Sequence, residues 1–198
     1  MPKLETPRFW IVAGPNGSGK STLYDRTDIE GFGSSVWIIN PDVLTEHVRE
    51  QERFSSSDAN IEALNRIWAW LRASIRAHHT VGVETVLSTP KYRRLVRAAK
   101  SYGFEIRLLY VTLDSADLNV ERVRLRVAKG GHGVPESKVR ARRERSFRQL
   151  PWFLRESDFA LIYDNSGVSP RLVGRKRAGL VEIDPTAPTE IRRVAARL

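Results

Sequence analysis

The sequence contains no cysteine and a single methionine among its 198 residues. Without thiols there are no disulfides, no thiolate nucleophile and no cysteine-based zinc site, an absence that fits a reducing compartment. Long apolar runs are missing as well. The longest, Phe9 to Ala13, is about five residues, far short of the roughly 18 that suggest a membrane-spanning helix. The stretch MPKLETPRFW shows neither an apolar h-region nor a small-residue cleavage site. Together these absences lead to the expectation of a cytoplasmic protein with no membrane association. Repeats, low-complexity tracts and linkers are also lacking, and a chain of this length buries one sizeable core. The expectation is a single domain over 1–198, with its core at about 8–167 and a C-terminal extension at 168–198. Carboxylates are scarce relative to cations, with 23 Asp and Glu against 33 Lys and Arg, so the net charge is +10. Such a surface attracts anions, whether nucleic acid, nucleotide or anionic lipid, and charge by itself does not choose among them.

What is present alternates between two periodicities. RFWIVA at Arg8–Ala13 is a short apolar run rich in aromatic and β-branched residues and reads as a first strand. A helix is expected from about Gly19 to Thr27, a loop at Gly31–Ser35, and a second strand at Val36–Ile39. Asn40-Pro41 then combines an N-cap with proline at the first helical position, opening a helix to about Arg53. Ser55–Asp58 offers another cap. From Ala59 to His78, apolar residues at 61, 64, 67, 68, 71 and 75 recur with helical spacing. Strands are expected at Val81–Leu87, Glu105–Leu113 and Phe159–Tyr163. Helices fall between them at Tyr92–Tyr102, Asp114–Lys129 and Pro135–Gln149. Leu172–Gly174 and Leu180–Ile183 are able to pair as a hairpin, and a last helix covers Thr189–Arg197. Strands alternating with helices imply an α/β fold, a mostly parallel five-stranded sheet with helices on both faces and a small C-terminal hairpin. Such sheets bind ligands at the carboxyl ends of their strands. That rule selects Gly14–Thr22, Asn40–Asp42, Glu84–Thr89, Asp114 and Asp164–Gly167.

The first of these segments carries the pattern G-x-x-x-x-G-K-[ST], met by Gly14, Gly19, Lys20 and Ser21 directly after a strand and at a helix start. Gly14, Pro15, Asn16, Gly17, Ser18 and Gly19 are expected to wrap backbone amides around the phosphates of a nucleotide, and the helix N-terminus adds its partial positive charge. Lys20 reaches the β- and γ-phosphates. The Ser21 hydroxyl ligates Mg²⁺, and Thr22 stabilises the loop or touches the α-phosphate. ATP and Mg²⁺ are therefore the expected cofactors.

Taken together, GPNGSGKST at Gly14, INPD at Ile39, VETVLS at Val83, VAKGGHGVPE at Val127 and YDNSG at Tyr163 resemble the zeta-toxin family of P-loop kinases, in particular its short stand-alone members. The matches run in family order from about Phe9 to Gly167, and GGHGVPE between two basic helices is more distinctive than the generic loop. The resemblance implies ATP-dependent phosphorylation of a nucleotide-sugar, UDP-N-acetylglucosamine, on the 3'-hydroxyl of its amino sugar. It also implies a small antitoxin partner that occludes the ATP site.

By the same resemblance Asp42 is the base that activates the substrate hydroxyl; read by itself, it is a negative charge in the first turn of a helix. Glu84 interrupts an apolar strand, where an unpaired carboxylate is costly to bury. Either it holds Mg²⁺ or a substrate hydroxyl, or it forms an ion pair with an arginine. Thr85, Ser88 and Thr89 line the same cleft. Longer family members carry a Gly-Thr-x-Arg type sequence after this glutamate, and here Thr85-Val86-Leu87-Ser88 stands instead.

Arg122, Arg126 and Lys129 share one helix face leading into the GGHG turn, and Arg140 and Arg143 share another. A mobile arginine on a lid hinged at Gly130, Gly131 and Gly133 stabilises a phosphoryl-transfer transition state. In zeta-type kinases two arginines of this region contact the ATP phosphates, which here points to Arg122 and Arg126. For each, the alternative is a solvated surface charge. His132 reads as a structural turn residue, and Trp68, Trp70, Trp152 and Phe153 as packing residues before base-stacking ones. Two rival functions remain open: a P-loop kinase of another hydroxyl, such as a nucleoside, an antibiotic or a nucleic-acid end, and a nucleotide-regulated nucleic-acid-binding protein.

Overall fold

Alternate residues of the central strands face opposite sides of one sheet, and both sides are apolar. In β1 (Arg8–Ala13), Phe9, Ile11 and Ala13 enter one core cluster while Trp10 and Val12 enter the other. β4 (Glu105–Thr112) divides in the same way, with Ile106, Leu108 and Tyr110 on one side and Leu109 and Val111 on the other. A strand buried on both faces reads as a continuous apolar run, which is the signature of parallel sheets covered by helices. The computed structural model describes residues 5–26, 29–30, 32, 36–52 and 55–198.

The remaining elements in chain order are α1 (Lys20–Arg26), β2 (Ile38–Ile39), α2 (Pro41–Gln51), α3 (Ser56–Arg76), β3 (Val81–Thr85) and α4 (Arg93–Ser101), which precede β4. After it come α5 (Ala116–Ala128), α6 (Glu136–Glu156), β5 (Phe159–Asp164), β6 (Arg171–Arg177), β7 (Leu180–Ile183) and α7 (Thr189–Ala195). The strand order is β2-β3-β1-β4-β5-β6-β7. The first five strands in that order pair in parallel, whereas β6 and β7 pair antiparallel. β1 lies between β3 and β4, so its carboxyl end, where the glycine-rich loop begins, opens at the centre of the sheet. The larger core cluster joins the sheet to α3, α4, α6 and α7; the smaller one includes Leu23 of α1.

The α/β reading holds, and the sheet is larger than the five strands expected. The C-terminal hairpin extends the same sheet, because β6 pairs with β5 over Ala160–Asp164. Other differences have local causes. α6 runs to Glu156 rather than stopping near Gln149, continuing through Pro151. Leu150, Phe153 and Leu154 are buried in the main core, and their packing outweighs the backbone hydrogen bond that proline cannot make. β3 ends at Thr85 rather than Leu87, since Leu87 has φ +58° and its N–H donates to Thr85 Oγ1. β2 covers only Ile38–Ile39. Most of the loop expected at 31–35, and the helix ends expected at Thr27 and Arg53, lie outside the described residues.

Arg143 is a structural residue. The residue is 6% exposed, and its guanidinium donates to Asn119 Oδ1, to the carbonyls of Leu113 and Asp114, and to Glu190 at 2.6 Å. It ties α6 to the start of α5 and to α7. Arg140, expected on the same helix face, is exposed and pairs with Glu136 and Asp117. Because removing one partner of a buried, hydrogen-bonded ion pair leaves the others unmet, Arg143→Ala is expected to lower stability by about 3–5 kcal/mol. Urea denaturation checks this, and a loss below about 1 kcal/mol contradicts a structural role for the residue.

Candidate active site

The loop between β1 and α1 is shaped by what presses on it. Gly17 has φ +74°, and a Cβ there would stand 2.6 Å from the Asn119 carbonyl oxygen of α5. Gly19 has φ +84°, and its Cβ would stand 2.4 Å from Asn165 Nδ2. Both neighbours also hold the loop: Asn119 Nδ2 donates to Asn16 O at 2.7 Å, and Asn165 Nδ2 donates to Ser18 O at 2.9 Å. The loop is thus clamped from α5 on one side and from the turn after β5 on the other. Lys20 folds back over it, its Nζ donating to Gly14 O at 3.0 Å and Pro15 O at 3.1 Å.

Glu84, next to the last residue of β3, is where the site converges. Its Oε2 accepts from Ser21 Oγ at 2.9 Å, Tyr24 Oη at 3.0 Å and Asn40 Nδ2 at 3.0 Å, and its Oε1 stands 3.8 Å from Lys20 Nζ. The compensation that the buried carboxylate requires therefore comes from a lysine and three neutral donors; no arginine pairs with it among the described residues. Burial pulls the Lys20 ammonium below its ordinary pKa, with Arg126 pushing the same way and Glu84 and Asp42 opposing. Tyr24 is raised, first by burial and then by the Glu84 charge, so its hydroxyl remains a donor near neutral pH.

Three adjoining cavities meet at Glu84 and Arg126. One of about 570 Å³ lies over the loop, lined by Gly17, Gly19, Thr22, Arg122, Lys129 and Asn165 among others. Two more, of about 500 and 310 Å³, lie on the α2 and α3 side and share Asn40, Asp42, Asn60 and Arg142. Ser88, Thr89 and Lys91 line the smaller of these. The centre is therefore a junction between a compartment on the glycine-rich loop and a second, polar compartment.

The expected residues divide accordingly. Lys20, Ser21, Glu84 and Arg126 sit at the junction, Asp42 and Ser88 in the second compartment, and Arg122 and Thr22 beside the loop. Asn40 caps α2, accepting from the backbone N–H of Asp42 and Val43, while its amide reaches Glu84. Asp42 is exposed in the first turn, with the polar cavity on its side. Thr85 lines that cavity too, but its Oγ1 accepts from Leu87 N–H and so shapes the turn. Arg122 donates to Ser166 O at 3.4 Å. Arg126 donates to His132 O at 2.7 Å, and a Cβ at Gly131 would stand 2.7 Å from Arg126 Cγ, so the GGHG turn fixes where this arginine points.

Four contributors do not stand out for these roles in the sequence: Arg142, Asn119, Tyr24, and Asn40 as a Glu84 partner. Arg142 sits between Arg140 and Arg143, and only the rotation of α6 in the packed structure shows which of the three meets the cleft. Tyr24, three residues after Ser21 in α1, does carry a signal, because helical spacing puts the two on one face.

A family model described as an AAA domain matches residues 9–150. The chain belongs to this AAA-domain family. Over 147 residues it is 29% identical to an uncharacterized protein of Haemophilus influenzae, covering 68% of this chain and 96% of that one. Among solved structures it is similar to the AvrRxo1-ORF1:-ORF2 complex with ATP, with TM-score 0.71 and 16% identity over 95% of this chain. It spans 63% of the length of that larger chain. It is also similar to the PezAT chromosomal toxin-antitoxin system of Streptococcus pneumoniae, with TM-score 0.61 and 15% identity over 83% of this chain and 72% of that one. At these identities the likeness to the solved structures is one of fold, and the family model covers the glycine-rich loop, whose pattern implies nucleotide binding.

Replacing either clamped glycine forces a side chain into the Asn119 carbonyl or the Asn165 amide at a positive φ, a strain of order 1–3 kcal/mol. Gly17→Ala and Gly19→Ala are expected to weaken ATP binding by about tenfold or more, read by calorimetry. Unchanged affinity in both variants would remove the loop from the binding site.

Proposed function

We propose that this protein is an ATP-dependent kinase that transfers a γ-phosphoryl group to a hydroxyl of a nucleotide-sugar such as UDP-N-acetylglucosamine, in the manner of zeta toxins. The observation that carries the reading is the junction. Lys20, Ser21 and Glu84 stand where the compartment on the glycine-rich loop opens into the polar compartment lined by Asp42 and Arg142. A donor on one side and an acceptor on the other would then meet beside the residues that handle phosphate charge.

Ser21 Oγ and the Glu84 carboxylate, 2.9 Å apart, are hard oxygen donors of the kind that suit Mg²⁺. Among the described residues no cluster of three or more His, Asp or Glu could hold a metal by itself, and Mg²⁺ in nucleotide sites commonly relies on one or two protein oxygens together with phosphates and water. Such an ion, when bound, neutralises developing phosphate charge.

The chain's own residues supply the remaining steps. Lys20 exchanges its hold on the Gly14 and Pro15 carbonyls for the β- and γ-phosphates. The acceptor hydroxyl gives its proton to Asp42 as its oxygen bonds to the γ-phosphorus, and the bond from that phosphorus to the bridging oxygen breaks, leaving ADP. Arg126, and Arg122 from the loop side, stabilise the charge on the transferring group. Thr85 and Ser88 border the acceptor. In this reading the chain is one domain acting in the cytoplasm; no described helix is long and apolar enough to cross a membrane. The toxin-antitoxin description of one structural neighbour favours a protein partner that restrains the activity by covering the ATP cleft.

Purified protein with ATP and Mg²⁺, offered UDP-N-acetylglucosamine and then nucleosides, antibiotics and oligonucleotides, is expected to add one phosphate to the sugar nucleotide, read by mass spectrometry. Lys20→Ala is expected to abolish transfer. Asp42→Asn, an isosteric change on an exposed turn, is expected to lower kcat by about 10²–10⁴-fold without altering the melting temperature. If no small acceptor gains a phosphate and Asp42→Asn keeps full turnover, this mechanism is wrong.

A further inference from the structure

A cavity larger than the three at the site adjoins the smallest of them at Lys91 and otherwise has its own lining. It is a groove of about 740 Å³ between α3 and α4, lined by Trp68, Arg72, Lys91, Arg93, Arg94 and Arg97 among others. Five of its lining residues are cations and none is a carboxylate. Arg72, Lys91, Arg94 and Arg97 are exposed, and no described Asp or Glu forms an ion pair with any of them. Elsewhere on the molecule arginines are commonly paired, as Arg66 is with Glu52 and Glu62. The groove thus concentrates unneutralised charge in a chain already at +10.

Its aromatic content is equally specific. Trp68 is half-buried, stacked on Tyr92 with ring centroids 5.6 Å apart and an interplanar angle of 16°, and it also lines the groove. Arg93 and Arg97 lie over Trp152 at 4.8 and 5.7 Å. The two guanidinium planes and the indole are therefore held by contacts beneath them. Lys91, Arg94 and Arg97 follow one another at three-residue spacing along one side of α4 and the turn before it. A row of cations beside a fixed aromatic surface matches a ligand with regularly spaced negative charges and flat rings between them.

We infer that the α3–α4 groove binds single-stranded nucleic acid, its phosphates along Arg72, Arg94 and Arg97 and a base against Trp68. Charge complementarity selects a polyanion, and the indole selects one that carries bases. Lys91 lines the acceptor compartment as well as the groove, so it is left unaltered in the test. Binding here requires no phosphoryl transfer and stands or falls apart from the kinase reading.

The test is fluorescence anisotropy of labelled single-stranded RNA and DNA of about twelve nucleotides on the full chain across a salt series. Wild type is expected to bind with a marked salt dependence. The double variant Arg72→Glu with Arg94→Glu, at two exposed positions outside the proposed kinase machinery, is expected to bind at least about tenfold more weakly. With two phosphates no longer neutralised, its log–log salt slope should be shallower by about 1.4. Its melting temperature and ATP turnover should match wild type. Trp68→Leu is expected to weaken oligonucleotide binding while leaving the binding of polyaspartate unchanged. Three results overturn the inference: no salt-dependent binding by wild type, equal affinity in the charge-reversed variant, or polyaspartate of the same charge binding as tightly as the oligonucleotide. The last would assign the groove to an acidic protein segment.

Discussion

The Glu84 carboxylate accepts hydrogen bonds from Ser21, Tyr24 and Asn40 with the Lys20 ammonium 3.8 Å away. These contacts draw α1, the start of α2 and the end of β3 onto one buried group. A carboxylate in an apolar strand is tolerable only when its lone pairs are met, so the end of β3 and the N-terminal turns of both helices are fixed relative to one another. The same contacts place a lysine, a hydroxyl and a carboxylate at the central opening of the sheet. Stability at this point and the layout of the candidate site follow from one arrangement.

Around that centre the glycine-rich loop is held from two sides. Asn119 grips Asn16 O while its own Oδ1 accepts from Arg143, and Arg143 is anchored in turn on Glu190 of α7. A chain of contacts therefore runs from the C-terminal helix through α6 and α5 to the loop. This gives residues beyond 168 a part in the geometry of the site, although they are remote from it in sequence. On the other side Asn165 holds Ser18 O, so the turn after β5 acts as a brace.

Arg126 shows how a loop without regular structure places a charge. Gly131 leaves room for its aliphatic stem, and the His132 carbonyl takes its guanidinium. The arginine then borders all three cavities. Arg143, one helix away and equally basic in sequence, is committed to structure. Arg140 pairs at the surface. Three arginines of similar sequence character thus have three different fates, set by which side of each helix meets the cleft.

The α/β order, the caps at Asn40 and Ser55, the glycine-rich loop and the need of Glu84 for compensating partners were legible in the sequence, because each rests on local rules: strand and helix periodicity, turn chemistry and the cost of burying a charge. Strand order and the joining of the C-terminal hairpin to the sheet were not, since pairing between β5 and β6 depends on long-range packing. Nor was the end of α6, where the burial of Leu150, Phe153 and Leu154 carries the helix past Pro151. The sequence by itself determined that a glycine-rich loop with the G-x-x-x-x-G-K-[ST] pattern follows the first strand, since spacing alone defines that motif. Only the tertiary structure decided that Tyr24 and Asn40 complete the Glu84 site, that Asn119 and Asn165 clamp the loop, and that Arg142 reaches the second compartment. Those contacts span dozens of residues, and they depend on the rotation of each helix against the sheet, which sequence periodicity leaves free.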